Sequence, residues 1–287
     1  MNEGNQSTSE VLLLLADSIT DVPEESDSPR VVISGSHGGW SAGVFALKRR
    51  LQGAIFNDAG GGKDGAGMAG LSLLEKYGIY GATVNAFSAK IGVAWETARG
   101  AISSLNLSAR RLGVREGMPA GEAAEMMRRA PAVVIPGNRI AEAYQEQSQI
   151  IHVSPKGTRI LTMDSNSMVT RENEKDIILT GSHGGLVGNR AATKYPVLAA
   201  FYNDAGVGKD QAGISRLARL QAAGILGATV DAATARIGVG LETYECGVIS
   251  YVNPLAREAG IVPGMKAKEA AWGVLNQMDK APRRVRG

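Results

Sequence analysis

The stretch "VVISGSHGGW" (31–40) returns 146 positions later as "IILTGSHGGL" (177–186), each time an apolar run ending in Gly-Ser-His-Gly-Gly. Working outward, Val31–Thr97 aligns with Ile177–Thr243 without a gap, and 32 of those 67 positions are identical. Beyond that block the second copy gains one residue. "GAISSLN" (100–106) then matches "GVISYVN" (247–253), and "LGVREGM" (112–118) matches "AGIVPGM" (259–265). A fainter echo upstream sets "LADSI" (15–19) against "TMDSNS" (162–167). Two copies of so long a period read as a duplicated domain, not a solenoid.

One unit reads as α/β. "RVVIS" (30–34), "GAIFND" (53–58), "GATVNA" (81–86) and "GAISSLN" (100–106) are short, β-branched and apolar runs, as buried strands are. Helices are expected over 40–50, 67–78 and 121–130, where apolar residues recur at helical spacing or basic residues close the last turn. Alternating strands and helices imply a mainly parallel sheet covered on both faces. The expected fold is therefore α/β, with two tandem homologous β-α-β repeats in a pseudo-twofold arrangement. Its parts are a flexible start (1–10), repeat A (11–130), a linker (131–157) with a short helix within 138–147, repeat B (158–275) and a basic tail (276–287).

Composition limits the function. The chain has 287 residues, 44% of them hydrophobic, and a net charge of +3. Its only long basic run is the tail "KAPRRVRG" (280–287), and aromatics at 5% leave few platforms for stacked bases, so nucleic acid is not the expected partner. The single Cys246 excludes an internal disulfide and suits a reducing, cytoplasmic setting. "VLLLLA" (11–16) is too short to span a bilayer and lacks the basic flank of a signal peptide, so no membrane partner is expected. A homo-oligomer is compatible with this composition.

The opening motif falls where a strand's carboxyl end turns towards a helix, the edge at which open α/β sheets bind ligands. "NDAGGGKDGAG" (57–67) and "NDAGVGKDQAG" (203–213) reach the same edge, and nine of their eleven positions agree. Such glycine density lets backbone amides approach an anion. The loop is no P-loop, since Asp64 follows Gly62-Lys63 where a magnesium-binding hydroxyl would stand. Ser36 and Ser182 fit a small-x-nucleophile-x-small elbow. His37, His152 and His183 are the only histidines, so none follows the second elbow to complete a hydrolase triad. Lys63 and Lys209 are then the candidate bases.

The expected catalytic set is Ser36, Lys63, Ser182, Lys209, His37 and His183. Gly38, Gly39, Gly184 and Gly185 supply amides to an oxyanion, and Asn57, Asp58, Asn203 and Asp204 bind substrate. Glu96 and Glu242 are expected to pair with Lys90 and Arg236. The leading expectation is a hydrolase acting on a C–N bond, amide or cyclic amide, of a small polar or anionic metabolite, with no cofactor and no resident metal. One alternative is a non-catalytic small-anion binding or sensing protein. Another is a metal-dependent lyase or hydrolase in which Asp58 and Asp204 join His37 and His183. In organisation the chain resembles cyclic-amide ring-opening hydrolases such as cyanuric acid hydrolase and barbiturase, whose tandem repeats each supply serine and lysine. Those enzymes have three repeats and a different serine motif, so the resemblance implies a kind of layout and no particular substrate.

Overall fold

The computed structural model describes residues 10–133, 135 and 144–280. In the first half, β1 (Leu12–Ala16), β2 (Arg30–His37), β3 (Gly53–Asn57), β4 (Tyr80–Val84) and β5 (Ile102–Leu105) form one sheet in that order. The first four strands run parallel, and β5 is antiparallel to β4. The helices are α1 (Trp40–Lys48), α2 (Gly70–Lys76), α3 (Ala94–Arg99), α4 (Leu107–Arg111) and α5 (Ala120–Arg129). Alternation along the strands divides the apolar residues between two faces. Val32, Ala54 and Phe56 join Leu47, Leu73 and Leu74 of α1 and α2, while Val31, Ile33 and Ile55 join Ala123, Ala124 and Met127 of α5. Burial on both faces is why these strands are continuous apolar runs.

The second half builds its own sheet of six strands. β6 (Ser148–Val153), β7 (Arg159–Met163), β8 (Ile177–His183), β9 (Ala199–Asn203), β10 (Leu226–Val230) and β11 (Ile249–Val252) form a sheet ordered β11-β10-β9-β8-β7-β6. β7 to β10 are parallel, and the edge strands β6 and β11 are antiparallel to their neighbours. Its helices are α6 (Arg216–Ala222), α7 (Gly240–Glu245), α8 (Pro254–Glu258) and α9 (Ala267–Lys280). The architecture is thus α/β with two mixed sheets of mostly parallel strands.

Local departures from the sequence reading have physical causes. The run at 100–106 is a strand, but Ile102 pairs with Val84, so the chain enters β5 from the carboxyl end of β4 and runs backwards. The helix expected over 67–78 begins within the end of a 3₁₀ segment, Lys63–Met68, and continues as α2 to Lys76. Asp64 and Gly65 inside that segment have φ of 55° and 67°, which no continuous helix tolerates. Residues 138–143 of the expected linker helix lie outside the described residues, and 144–147 form no helix.

The largest difference between the halves follows β8. Helix α1 has no counterpart there, and residues 186–197 form a loop. In the first half α1 crosses α2 so closely that a Cβ on Gly43 would lie 2.9 Å from Cα of Gly70. Arg216 stands at the position of Gly70 and would fill that crossing. Its guanidinium is instead buried beneath the loop and donates to the carbonyls of Ala192 and Gly185.

The "NDAG" loops bring the halves together. Ala59, Ala66 and Ile91 cluster with their matches Ala205, Ala212 and Ile237. Lys63 N–H donates to Ala232 O, and Lys209 N–H donates to Ala86 O, both at 2.8 Å. Side chains cross reciprocally as well. Lys63 meets Glu242 at 3.2 Å and Lys209 meets Glu96 at 2.8 Å, while Arg236 meets Asp64 at 2.8 Å and Lys90 meets Asp210 at 3.0 Å.

Candidate functional site

A cleft of about 600 Å³ is lined by both halves. β2 and β8 deliver Ser36 and His37, and Ser182 and His183, to its wall. The segments after β1 and β7 add Ser18, Ile19 and Thr20, and Ser165, Asn166 and Ser167. Arg216 contributes from α6. Gly35 and Gly181 set the depth of the motif, since a Cβ there would lie 2.4 Å from Val93 N and 2.3 Å from Val239 N. Only a residue without a side chain lets those loops pass beneath the strands.

Each serine is held from behind. Ser36 Oγ accepts Ile19 N–H at 3.0 Å, and Ser182 Oγ accepts Asn166 N–H at 2.9 Å. Each hydroxyl keeps its own proton for donation. Neither serine has the positive φ that would mark a strained turn. His37 Nδ1 accepts Gly39 N–H at 3.1 Å. Burial brings the His37 imidazole down to about 4, so it is neutral at pH 7. Burial lowers His183 well below its ordinary value too, helped by the charge of Arg216 and then by His37.

The remaining expected site residues have other partners. Gly38 N–H donates to Asn57 O and Gly184 N–H to Asn203 O, so with Gly39 on His37 three of the four expected oxyanion amides are engaged. Asn57 bridges Ala89 O and Ala59 N–H, and Asn203 bridges Ala235 O and Ala205 N–H. Asp58 accepts from Gly60 and Ala86, and Asp204 accepts from Gly206 and Ala232. Burial pushes the Asp204 carboxyl above its ordinary range, against the pull of its hydrogen bonds. Among the described residues, no three His, Cys, Asp or Glu side chains form a group that could hold a metal.

Lys63 and Lys209 are not on the cleft wall. Hydrogen bonding to Glu242 raises the Lys63 ammonium above its ordinary value, which keeps the proton on. Burial alone would raise Glu96, but hydrogen bonds from Lys209 and Lys90 and their charges hold it below its ordinary range. The expected pairs Lys90–Glu96 and Arg236–Glu242 are present at 3.5 and 2.9 Å.

The sequence reading missed Arg216. Its guanidinium is 4% exposed, and its Cζ lies 4.8 Å from the ring centroid of Tyr202. Burial pushes the Tyr202 phenol up to about 12, so it stays neutral beneath that charge. Among the described residues, no carboxylate lies within ion-pair distance of Arg216, and its Nε has no hydrogen-bond partner. The only signal for it was a change of charge and size: an arginine faces Gly70, one of many differences between the aligned segments. The serines before β2 and β8 were visible only as the faint upstream echo.

Compared with family models, curated proteins and solved structures, the chain matches none significantly. No described helix is long and apolar enough to cross a membrane.

Proposed function

We propose that the halves are duplicated units related by an approximate twofold axis near the Gly60–Gly206 contact, and that their shared cleft binds a small anionic metabolite. Arg216 carries this reading. A guanidinium buried without a counter-charge is costly, and an anion in the cleft would supply that charge. Hydroxyls from both halves, Ser36 and Ser182 foremost, would bond the ligand's polar groups. The volume suits a small metabolite. Phe45 is the one Phe, Tyr or Trp on the described wall, which gives a nucleobase little to stack on. The lone Cys246 supports a reducing, cytoplasmic location.

Calorimetric titration and thermal unfolding with sulfate, phosphate and small carboxylates test this reading. The expected result is one binding event per chain, with unfolding stabilised by about 2.7 kcal/mol at a hundredfold excess over Kd. Absence of both effects across the series would remove the reading.

Hydrolysis of an amide or cyclic amide C–N bond by Ser36 or Ser182 is the second reading, favoured by both hydroxyls lying on the cleft wall. The base would then come from an imidazole or from the substrate, since Lys63 and Lys209 are held in ion pairs elsewhere. Screening cyclic and linear amides against the protein and its Ser36→Ala and Ser182→Ala variants tests it. Turnover surviving in the double variant would remove serine from the chemistry.

A further inference from the structure

His37 and His183 occupy matched positions but are held differently. Gly39 N–H donates to His37 Nδ1, so the neutral ring carries its proton on Nε2. Protonating that ring would turn Nδ1–H against Gly39 N–H, two donors facing each other. Gly185 lies beside the His183 ring, where a Cβ would be 3.0 Å from Nδ1. Yet His183 Nδ1 is buried without a hydrogen-bond partner among the described residues. This nitrogen can accept a proton without displacing a hydrogen bond, and the backbone contact of His183 with Gly185 favours the protonated ring.

The charges also differ. Arg216 acts on His183, and its counterpart in the first half is Gly70, which carries none. The other charged side chains on the cleft wall are Glu146, Asp164, Arg190 and Lys194, with the neutral Tyr202 phenol under the guanidinium.

We propose that an anion binding at Arg216 is accompanied by proton uptake at His183, which makes this imidazole the proton-exchanging group of the cleft and leaves His37 a fixed Nε2–H donor. The proton comes from solvent: neutral imidazole becomes imidazolium, and the bound anion balances the added charge. In the empty cleft His183 is held neutral by burial and then by the repulsion of Arg216. A bound anion removes the second cause and adds an attraction of its own. Anion and proton therefore favour each other, as linkage requires. The duplicated motif would thus have acquired two roles, because only one copy has a charge next to its histidine.

This inference rests on the anion-binding reading, and one experiment separates the two. Long-range proton–nitrogen NMR of the ¹⁵N-labelled full chain follows three imidazoles, assigned with His37→Gln and His183→Gln variants. The probes are sulfate and formate, both ionised throughout between pH 5.5 and 8. With either ion bound, the His183 titration midpoint is expected to rise into the range between pH 5.5 and 8, while His37 keeps its Nε2–H form. Calorimetry at pH 5.5 in buffers of different ionisation enthalpy should show proton uptake. Binding with His183 unchanged, or with His37 taking the proton, overturns this inference and leaves anion binding standing. No binding of either ion overturns both.

Discussion

Gly60 and Gly206 meet where the halves touch: a Cβ on Gly60 would lie 3.0 Å from Cα of Gly206, and one on Gly206 would lie 3.1 Å from Cα of Gly60. Both have φ of 68°, a conformation that costs an L side chain about 1–2 kcal/mol without any clash. Gly60→Ala and Gly206→Ala should each lower stability by about 1–3 kcal/mol, through strain and separation of the loops. Because the two methyls would compete for one space, the double variant should depart from additivity. Urea denaturation measures all three. Two neutral single variants would show that the loops are not tightly seated.

The ion pairs between the halves separate interface from chemistry. Lys63→Met and Lys209→Met should each weaken resistance to urea, and Lys209→Met more so because it leaves buried Glu96 with less compensation. Neither should change affinity for an anion in the cleft by more than about twofold, since neither lysine lines it. Loss of turnover on an identified amide, with stability intact, would instead restore these lysines as bases.

Arg216→Met should cost about 2–4 kcal/mol. It removes the donors to Ala192 and Gly185 and the contact with Tyr202, leaving buried carbonyls unpaired. The 186–197 loop should then be cut faster by a protease under native conditions, because that loop has no helix of its own to hold it. Arg216→Lys should keep the charge but lose the forked geometry, and so recover only part of the stability. Unchanged cleavage in Arg216→Met would show that the loop is held by other contacts.

Acid should begin to destabilise the fold as pH falls below about 6.5. The native pKa of His37, about 4, lies below the unfolded value near 6.5. Between these limits the unfolded chain takes up a proton that the native chain refuses. Stability from this group is therefore complete above pH 6.5 and is lost as pH falls towards 4. His183 acts in the same direction. His37→Gln should flatten the drop in unfolding free energy between pH 7 and 4.5 by about 2 kcal/mol. An unchanged slope would mean that His37 titrates normally.

Much of the architecture was legible because it depends on neighbours in sequence. Val31, Val32 and Ile33 are apolar in succession, as a strand buried on both faces requires, and the break at Gly78 ends a helix wherever the chain goes next. The equal pentapeptides put Ser36, His37, Ser182 and His183 on the page as a set, and the fold brings all four to one cleft. The expected Lys90–Glu96 and Arg236–Glu242 pairs are likewise short-range contacts, six residues apart.

What the sequence left open was decided by contacts between distant residues. A glycine-rich loop with positive φ looks the same whether it cradles an anion or seats itself against its own copy, because the backbone demands are identical. Only the tertiary structure brings Gly60 onto Gly206 and turns Asp58 and Asp204 towards backbone amides. The same holds for Lys63, whose partner is 179 positions away. Arg216 against Gly70 was one of many differences among aligned residues, and its meaning lay in a helix the second half does not form. Sequence determined the elements and the paired motifs, since propensity and periodicity act over a few residues. Which face of each motif meets a ligand and which meets the other half was decided by packing, where a missing Cβ or a buried charge has its effect.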